Sequence, residues 1–385
     1  MNITSVKGIL NRKFGGASID DIQGISDYSL FQEAASNLLN EINPAETVRH
    51  SSLEIFRDIY DYSPPADIKT LLDERPQTSN RSRSDNSTRR FSEEFDQLKA
   101  NNNNDFTLEW IDGARVARFA KSVEGGNTGI STMESLTANG TWDGTAANIA
   151  VSTHNPYKGS GSIQADFDTG EYIENDDMTK VDLSDHKNKS TIFLAGYFPD
   201  ASLVTSIGLR WGSSTSAYFS RTKTAPQFGS FRNGWNLIPF AWNGATETGT
   251  VDTDNMDYIR ITYTGSSDTD IKFDNVFSAL GEVRELVYYS KYLFRNSTGT
   301  TWLEVPTADT DIVNLDSDAE NLFVYECIRL AALQLQGQEK LFNSYTDFLY
   351  GTAKEVGKYA RYNKRNPDEA IQPQSRYRTF SYNKK

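Results

Sequence analysis

Between residues 130 and 280 the chain carries short apolar runs separated by Gly, Ser, Thr, Asp and Asn, with no helical period in between. The runs are NIAVST, GSIQADFD, STIFLAGYF, SIGLRW, GWNLIPFAW, DYIRITYT and DIKFDNVFS. Successive side chains of a strand point to opposite faces, so each such run has one apolar face that needs a second sheet to cover it. The block therefore predicts an antiparallel β-sandwich or jelly roll. Trp142, Trp211, Trp235 and Trp242 fall inside it. Core packing is the reading for Trp211 and Trp235, whereas Trp142 and Trp242 are candidate exposed rings for stacking on a sugar.

Helical signals flank this block. Leu30, Phe31, Ala34, Ala35, Leu38, Leu39 and Ile42 follow helical spacing behind a Ser29/Gln32 capping pair. Ser51 with Glu54 repeats the capping spacing before LEIFRDIY, and the first hundred residues read as helical, with a further helix near 91–98. Asp112-Gly113 in FTLEWIDGARVARFA predicts a hairpin, because both residues tolerate positive φ. A second hairpin is read in ELVYYSKYLFRN and TWLEVP, joined through residues 297–300. Ser317 and Glu320 form another capping pair ahead of NLFVYECIRLAALQLQ, a helix apolar on more than one face and so buried on several sides. The helical rhythm then runs on to Asn366-Pro367. The expected fold class is α+β and multidomain. A helical domain with β-hairpins, residues 1–130 and 281–385, is interrupted by a sandwich of residues 131–280, since insertions succeed at surface hairpin tips.

Several function classes lack their chemistry. Cys327 is the one cysteine among 385 residues, so an internal disulfide or a Cys-based zinc module is excluded. It sits in an apolar helix and reads as a small buried hydrophobe. His154 and His186 read as solvated loop residues and His50 as a helix-edge residue, and no HExxH, GxSxG, P-loop or Rossmann motif occurs. Asp166, Asp168, Glu174, Asp176 and Asp177 cluster, which reads as a solvated loop or cation site rather than a catalytic pair. Asp252, Asp254 and Asp257 have the alternation of a calcium loop but lack its glycine and distal glutamate. No catalytic residue is named, and the reading is not an enzyme. Eighteen apolar residues never run together and no signal peptide is read, so a membrane partner is not expected and synthesis in a reducing cytoplasm is.

The net charge of −13, from 39 basic and 52 acidic residues, argues against a general nucleic-acid binder. It is unevenly spread: residues 351–385 carry +6, and residues 1–350 carry −19. A local exception is the arm at 75–90, with five arginines against one aspartate. Arg81, Arg83, Arg89 and Arg90 in the arm, and Tyr359, Arg361, Tyr362, Arg376, Tyr377 and Arg378 in the tail, are candidate interface residues. Arg and aromatic side chains anchor protein interfaces. Self-association in a homo-oligomer ranks ahead of DNA contact.

YKGSGSIQADF, KVDLSDHKNKSTIFLAGYFPD, GWNLIPFAW, DYIRITY and IKFDNVF together resemble the galactose-binding-like jelly rolls of carbohydrate-binding modules, over residues 135–280. That resemblance implies a glycan as ligand class and a structural calcium held with help from an acidic residue of the last strand, here Asp274. EIFRDIYDYSPPADIKTLLDERPQ, ELVYYSKYLFRN with TWLEVPTADTDIVNLD, and the tail KYARYNKRNPDEAIQP resemble structural proteins of tailed-bacteriophage virions. The type is the neck or head-to-tail adaptor, over residues 25–120 and 282–375. This second resemblance implies a virion connector subunit, made in the host cytoplasm. It would form a ring through heterologous interfaces and contact portal or tail components. No cofactor besides calcium is expected. The alternative is a carbohydrate-binding or adhesion protein of the virion, in tail or baseplate, acting through the jelly roll.

Overall fold

The computed structural model describes residues 1–14, 22–76, 106–111, 113–119, 126–335, 337–352 and 354–365. Antiparallel sheets dominate it, and the chain divides into two compact units. One comprises Met1–Ser51, Asp67–Leu72 and Val287–Lys385, the other Ser52–Ala66 and Asp73–Leu286.

The first unit holds the helices α1 (Ile3–Phe14), α2 (Ser29–Glu41), α3 (Ser317–Gln334), α4 (Glu339–Tyr350) and α5 (Lys358–Arg365). α2 buries the apolar stripe that its spacing predicts. Its start differs: Tyr28 adopts φ 63°, and the Ser29 N–H and hydroxyl donate to Asp27 Oδ1 at 3.1 and 2.8 Å. α3 is capped one residue earlier than expected, by Asp316 Oδ1 accepting from Ala319 N at 2.7 Å. It buries residues on several sides, including Cys327. Its one fully buried charge, Glu326, accepts from Arg329 at 2.5 Å and from Asn37 Nδ2 at 2.9 Å, so the carboxylate is not left without donors. Gly351, at φ 92°, ends α4 and breaks the expected continuous helix. Among the described residues no helix is long and apolar enough to cross a membrane.

The first hundred residues are not helical throughout. Val48–Phe56, Asp61–Tyr62 and Ile68–Pro76 are strands, so the Ser51/Glu54 capping pair starts no helix. A capping pair is a local signal, and sheet pairing with the long strand Asp268–Ser290 overrides it here. The expected helix near 91–98 lies outside the described residues. The Asp112-Gly113 hairpin is present as Phe106–Ile111 against Ala114–Phe119, with Gly113 at φ 78°. In the second hairpin Phe294–Arg295 pairs with Trp302–Leu303, while ELVYYS instead ends the strand Asp268–Ser290.

The second unit is built on two sheets. The larger runs Gly234–Ala241, Ser190–Phe198, Asp268–Ser290, Ser162–Phe167, Ala147–Ser152, with Val48–Phe56, Ile68–Pro76 and Asn127–Ser131 also paired to the long strand. The smaller runs Thr246–Thr248, Ala217–Lys223, Val204–Ser214, Tyr258–Gly265, Tyr172–Asn175, Asp143–Gly144. All seven predicted runs are strands. Ile192, Leu194, Phe240, Phe273 and Ile163 from the larger sheet meet Ile207, Leu209, Trp211, Ile259 and Ile261 from the smaller in one buried cluster. Two sheets sharing one apolar layer make a β-sandwich. Trp142 and Trp242 belong to that layer, exposed by only 4% and 1%. Their expected role as exposed sugar platforms is therefore corrected: both indoles pack into the buried layer between the sheets. Trp211 is core as read, whereas Trp235 is half-buried and packs at 5.5 Å from Tyr197 and 5.6 Å from Tyr157.

Candidate functional site

Because the smaller sheet gives one face to the core, its other face carries the alternate residues of every strand. The register sets them in rows. Asp143 lies opposite Glu174, Glu174 opposite Arg260, Arg260 opposite Arg210, Arg210 opposite Ser220, and Ser220 opposite Thr246. A polar row thus crosses all six strands. On one side of it stand Tyr258, Gly212, Tyr218 and Thr248, and on the other Tyr172, Thr262, Gly208 and Thr222.

The row is fixed by its own contacts. Arg260 donates from Nε and Nη2 to Glu174 Oε2 at 2.8 and 2.7 Å, and the Tyr258 hydroxyl donates to the same oxygen at 3.2 Å. Burial works against the Arg260 charge, but the Glu174 hydrogen bond and the charge interactions with Tyr258, Glu174 and Tyr172 together outweigh it and the pKa is raised. Burial first of all pushes the Tyr258 hydroxyl up to about 12, which keeps it a donor at neutral pH. The Arg260 guanidinium lies 3.9 Å from the centre of the Tyr172 ring, and Arg210 lies 4.7 Å from that of Tyr218. The Tyr218 and Tyr258 rings are 6.1 Å apart. Each contact holds a flat or forked group in place before any ligand arrives, which lowers the ordering cost of binding. Gly212 is required by the backbone: a Cβ there would lie 2.2 Å from the Ala217 carbonyl. Such a face can offer aromatic surface to the C–H side of a sugar ring and charged donors and acceptors to its hydroxyls.

The other candidates are separate from this face. His186 is buried rather than solvated, with Nδ1 2.8 Å from Ser278 Oγ and Nε2 3.1 Å from Thr128 Oγ1. The Ser278 hydroxyl donates onward to Ser190 at 2.8 Å, and burial lowers the imidazole pKa. With both serines buried, this is a polar plug in a sheet face and not a reachable nucleophile. The His154 carbonyl accepts from Lys272 Nζ at 2.8 Å. His50 is exposed, but on the strand Val48–Phe56 rather than at a helix edge.

Asp274 is fully buried on the outer side of the larger sheet, opposite Ala195. Its Oδ2 accepts from Lys158 N at 3.0 Å, while Oδ1 is buried and unpaired. Burial pushes its carboxyl up to about 6, backbone donors at Lys158 and Tyr157 pull it down, and the Glu134 carboxylate raises it again. Glu134 accepts from Ser160 N at 3.2 Å, and the Trp235 indole donates to the Asn155 carbonyl at 3.0 Å, pinning the same loop. The described residues contain no group of three or more His, Cys, Asp or Glu side chains able to hold a metal. A hard cation there would need backbone carbonyls beside these carboxylates. The orphaned Oδ1 and the repelling Glu134 nevertheless fit a cation: Asp274 and Glu134 would hold it, and its charge would cancel their repulsion.

Of the candidate interface residues, Tyr359 and Tyr362 are 2% and 1% exposed in the core of the first unit. They are corrected to packing residues, because the inward face of α5 carries them three positions apart. Arg361 is exposed and donates from Nε to the Val356 carbonyl at 2.9 Å. Arg81, Arg83, Arg89, Arg90, Arg376, Tyr377 and Arg378 lie outside the described residues.

No family model matches the chain, and no curated protein does. Solved structures similar to part of it include several carbohydrate-binding modules and an exo-β-agarase. One is the family 11 module from Clostridium thermocellum in complex with a β-1,3-1,4-mixed-linked tetrasaccharide. It is 14% identical with TM-score 0.28, covering 41% of this chain and 96% of that one. Another is the C-terminal family 22 module of Clostridium thermocellum Xyn10B, 17% identical with TM-score 0.25, covering 39% and 89%. A third, the family 30 module of a Clostridium thermocellum cellulosomal cellulase, is 9% identical with TM-score 0.27, covering 41% and 96%. A likeness at these scores assigns neither a ligand nor a binding residue to this chain.

Proposed function

We propose that this chain is a non-enzymatic glycan-recognition protein of a phage particle, with the outer face of the smaller sheet as its binding surface. The observation that carries the glycan reading is the row Glu174, Arg260, Arg210 and Ser220 framed by Tyr172 and Tyr218. Polar groups in fixed positions between aromatic rings suit a ligand that is apolar on its ring face and hydroxylated at its rim. Glu174 is already engaged by Arg260 and Tyr258, which favours binding without bond cleavage. The virion reading, with the helical unit as structural body, draws its support from the flanking sequence segments alone. A glycan array probed with the full chain tests the glycan reading. Hits that vanish in Tyr172→Ala and Tyr218→Ala, both still folded, support it; an array without hits refutes it. The mass of the purified chain in solution tests the ring expected of a connector subunit, which a strict monomer at high concentration contradicts.

A further inference from the structure

Resting on that reading, we infer that the glycan recognised by the smaller sheet is anionic, a uronate-bearing oligosaccharide whose carboxylate pairs with Arg210. Arg210 and Arg260 are directly opposite each other at the centre of the row. Like charges so placed repel, and each needs its own anion. Arg260 has one in Glu174, at 2.7 Å. Beyond Arg260, the company of Arg210 is uncharged: the Tyr218 ring, whose centre is 4.7 Å away, and Ser220 across the next strand. Among the described residues no carboxylate pairs with it, and it is only half-buried. The carboxylates of the row, Glu174 and Asp143, stand beyond Arg260 on the side away from Arg210.

The surroundings leave its fork open. Gly208 and Gly212 flank Arg210 on its own strand and on the same face, so no side chain stands beside the guanidinium along the strand. The next row members, Ser220 and Thr246, are short hydroxyl residues. A guanidinium over a tyrosine ring, 4.7 Å from its centre, can present two parallel N–H donors. That geometry takes both oxygens of a planar carboxylate at once. The ring face of the same uronate would lie toward Tyr218, so one residue of the glycan would meet both features.

Titration calorimetry at low salt with the full chain tests this, using oligogalacturonate, its carboxyl-reduced neutral counterpart and a sulfated galactan oligosaccharide. The uronate is expected to bind at least about tenfold tighter than the neutral sugar, equivalent to about 1.4 kcal/mol. The gap should shrink with added salt. It should close in Arg210→Gln, which should keep binding the neutral sugar. Arg210→Lys, which keeps the charge but not the fork, should keep part of the gap and serves if the Gln variant does not fold. Equal affinity for uronate and neutral sugar, a gap that survives Arg210→Gln, or tighter binding of the sulfated probe overturns the inference and leaves the glycan face standing. Binding of none of the three, together with an array without hits, overturns both.

Discussion

Replacing Trp242 separates a core residue from a sugar platform. Its indole is 1% exposed, with the Trp211 ring at 5.8 Å and the Phe219 ring at 5.1 Å. Trp242→Ala deletes this contact set and leaves a cavity, at a cost of about 3–5 kcal/mol. For a unit of this size each kcal/mol moves the midpoint by about 2–4 °C, so Tm should fall by roughly 6–20 °C. Trp242→Phe behaves differently for a specific reason: the Trp242 Nε1 is buried without a hydrogen-bond partner. Phenylalanine gives up about 1–2 kcal/mol of burial. It also removes an unpaired N–H whose desolvation costs about 1–3 kcal/mol. The two nearly cancel, and Tm should stay within about 4 °C of the unaltered chain. Scanning calorimetry reads both variants. A Trp242→Ala protein that melts normally but loses glycan binding would show an exposed ring and refute the packing argument. A Trp242→Phe protein that falls as far as the alanine variant would refute the argument about the unpaired N–H.

Other expectations follow from single contacts. Calcium at about a hundredfold its Kd should stabilise the chain by about 2.7 kcal/mol, reversed by a chelator and absent in Asp274→Asn; a melting curve indifferent to calcium would remove the cation from the account. Asp316→Ala deletes the α3 cap and should cost about 1 kcal/mol in denaturant titration, whereas Ser317→Ala should cost little. Cys327 is fully buried and burial drives its thiol pKa well up, so a thiol reagent should label it only on unfolding. Rapid labelling of the native chain would contradict that placement.

The parts of the fold that were legible are those in which local pattern and tertiary demand agree. The α2 stripe from Leu30 to Leu39 and the alternating run Tyr258–Gly265 each repeat their period long enough to leave one solution. Residues 51–56 satisfy a helix cap and a strand equally well, and pairing to a strand more than two hundred positions away decides between them. The candidate face was missed for a related reason. Tyr172–Asn175 and Ala217–Lys223 are short strands with polar outer positions, so Glu174 merges with Asp176 and Asp177 into an apparent acidic loop. Arg210 and Arg260 are fifty positions apart, and only the sheet register makes them neighbours. The one signal available was the alternation Tyr258, Arg260, Thr262 within DYIRITYT, which marks an outward face but not what stands opposite. Tryptophan drew the search for sugar platforms, yet its size is what the core of a sandwich recruits first, and half-buried tyrosines framing charged groups supply the outward surface.

The central claim is that the outer face of the smaller sheet binds a glycan. Calorimetric titration of an array hit into the unaltered chain and into the folded Tyr172→Ala/Tyr218→Ala double variant tests it most directly. Loss of two framing rings should weaken binding by about 2–3 kcal/mol, or roughly 30- to 150-fold, with Tm little changed. An unchanged affinity in the double variant would place the glycan elsewhere and contradict the account.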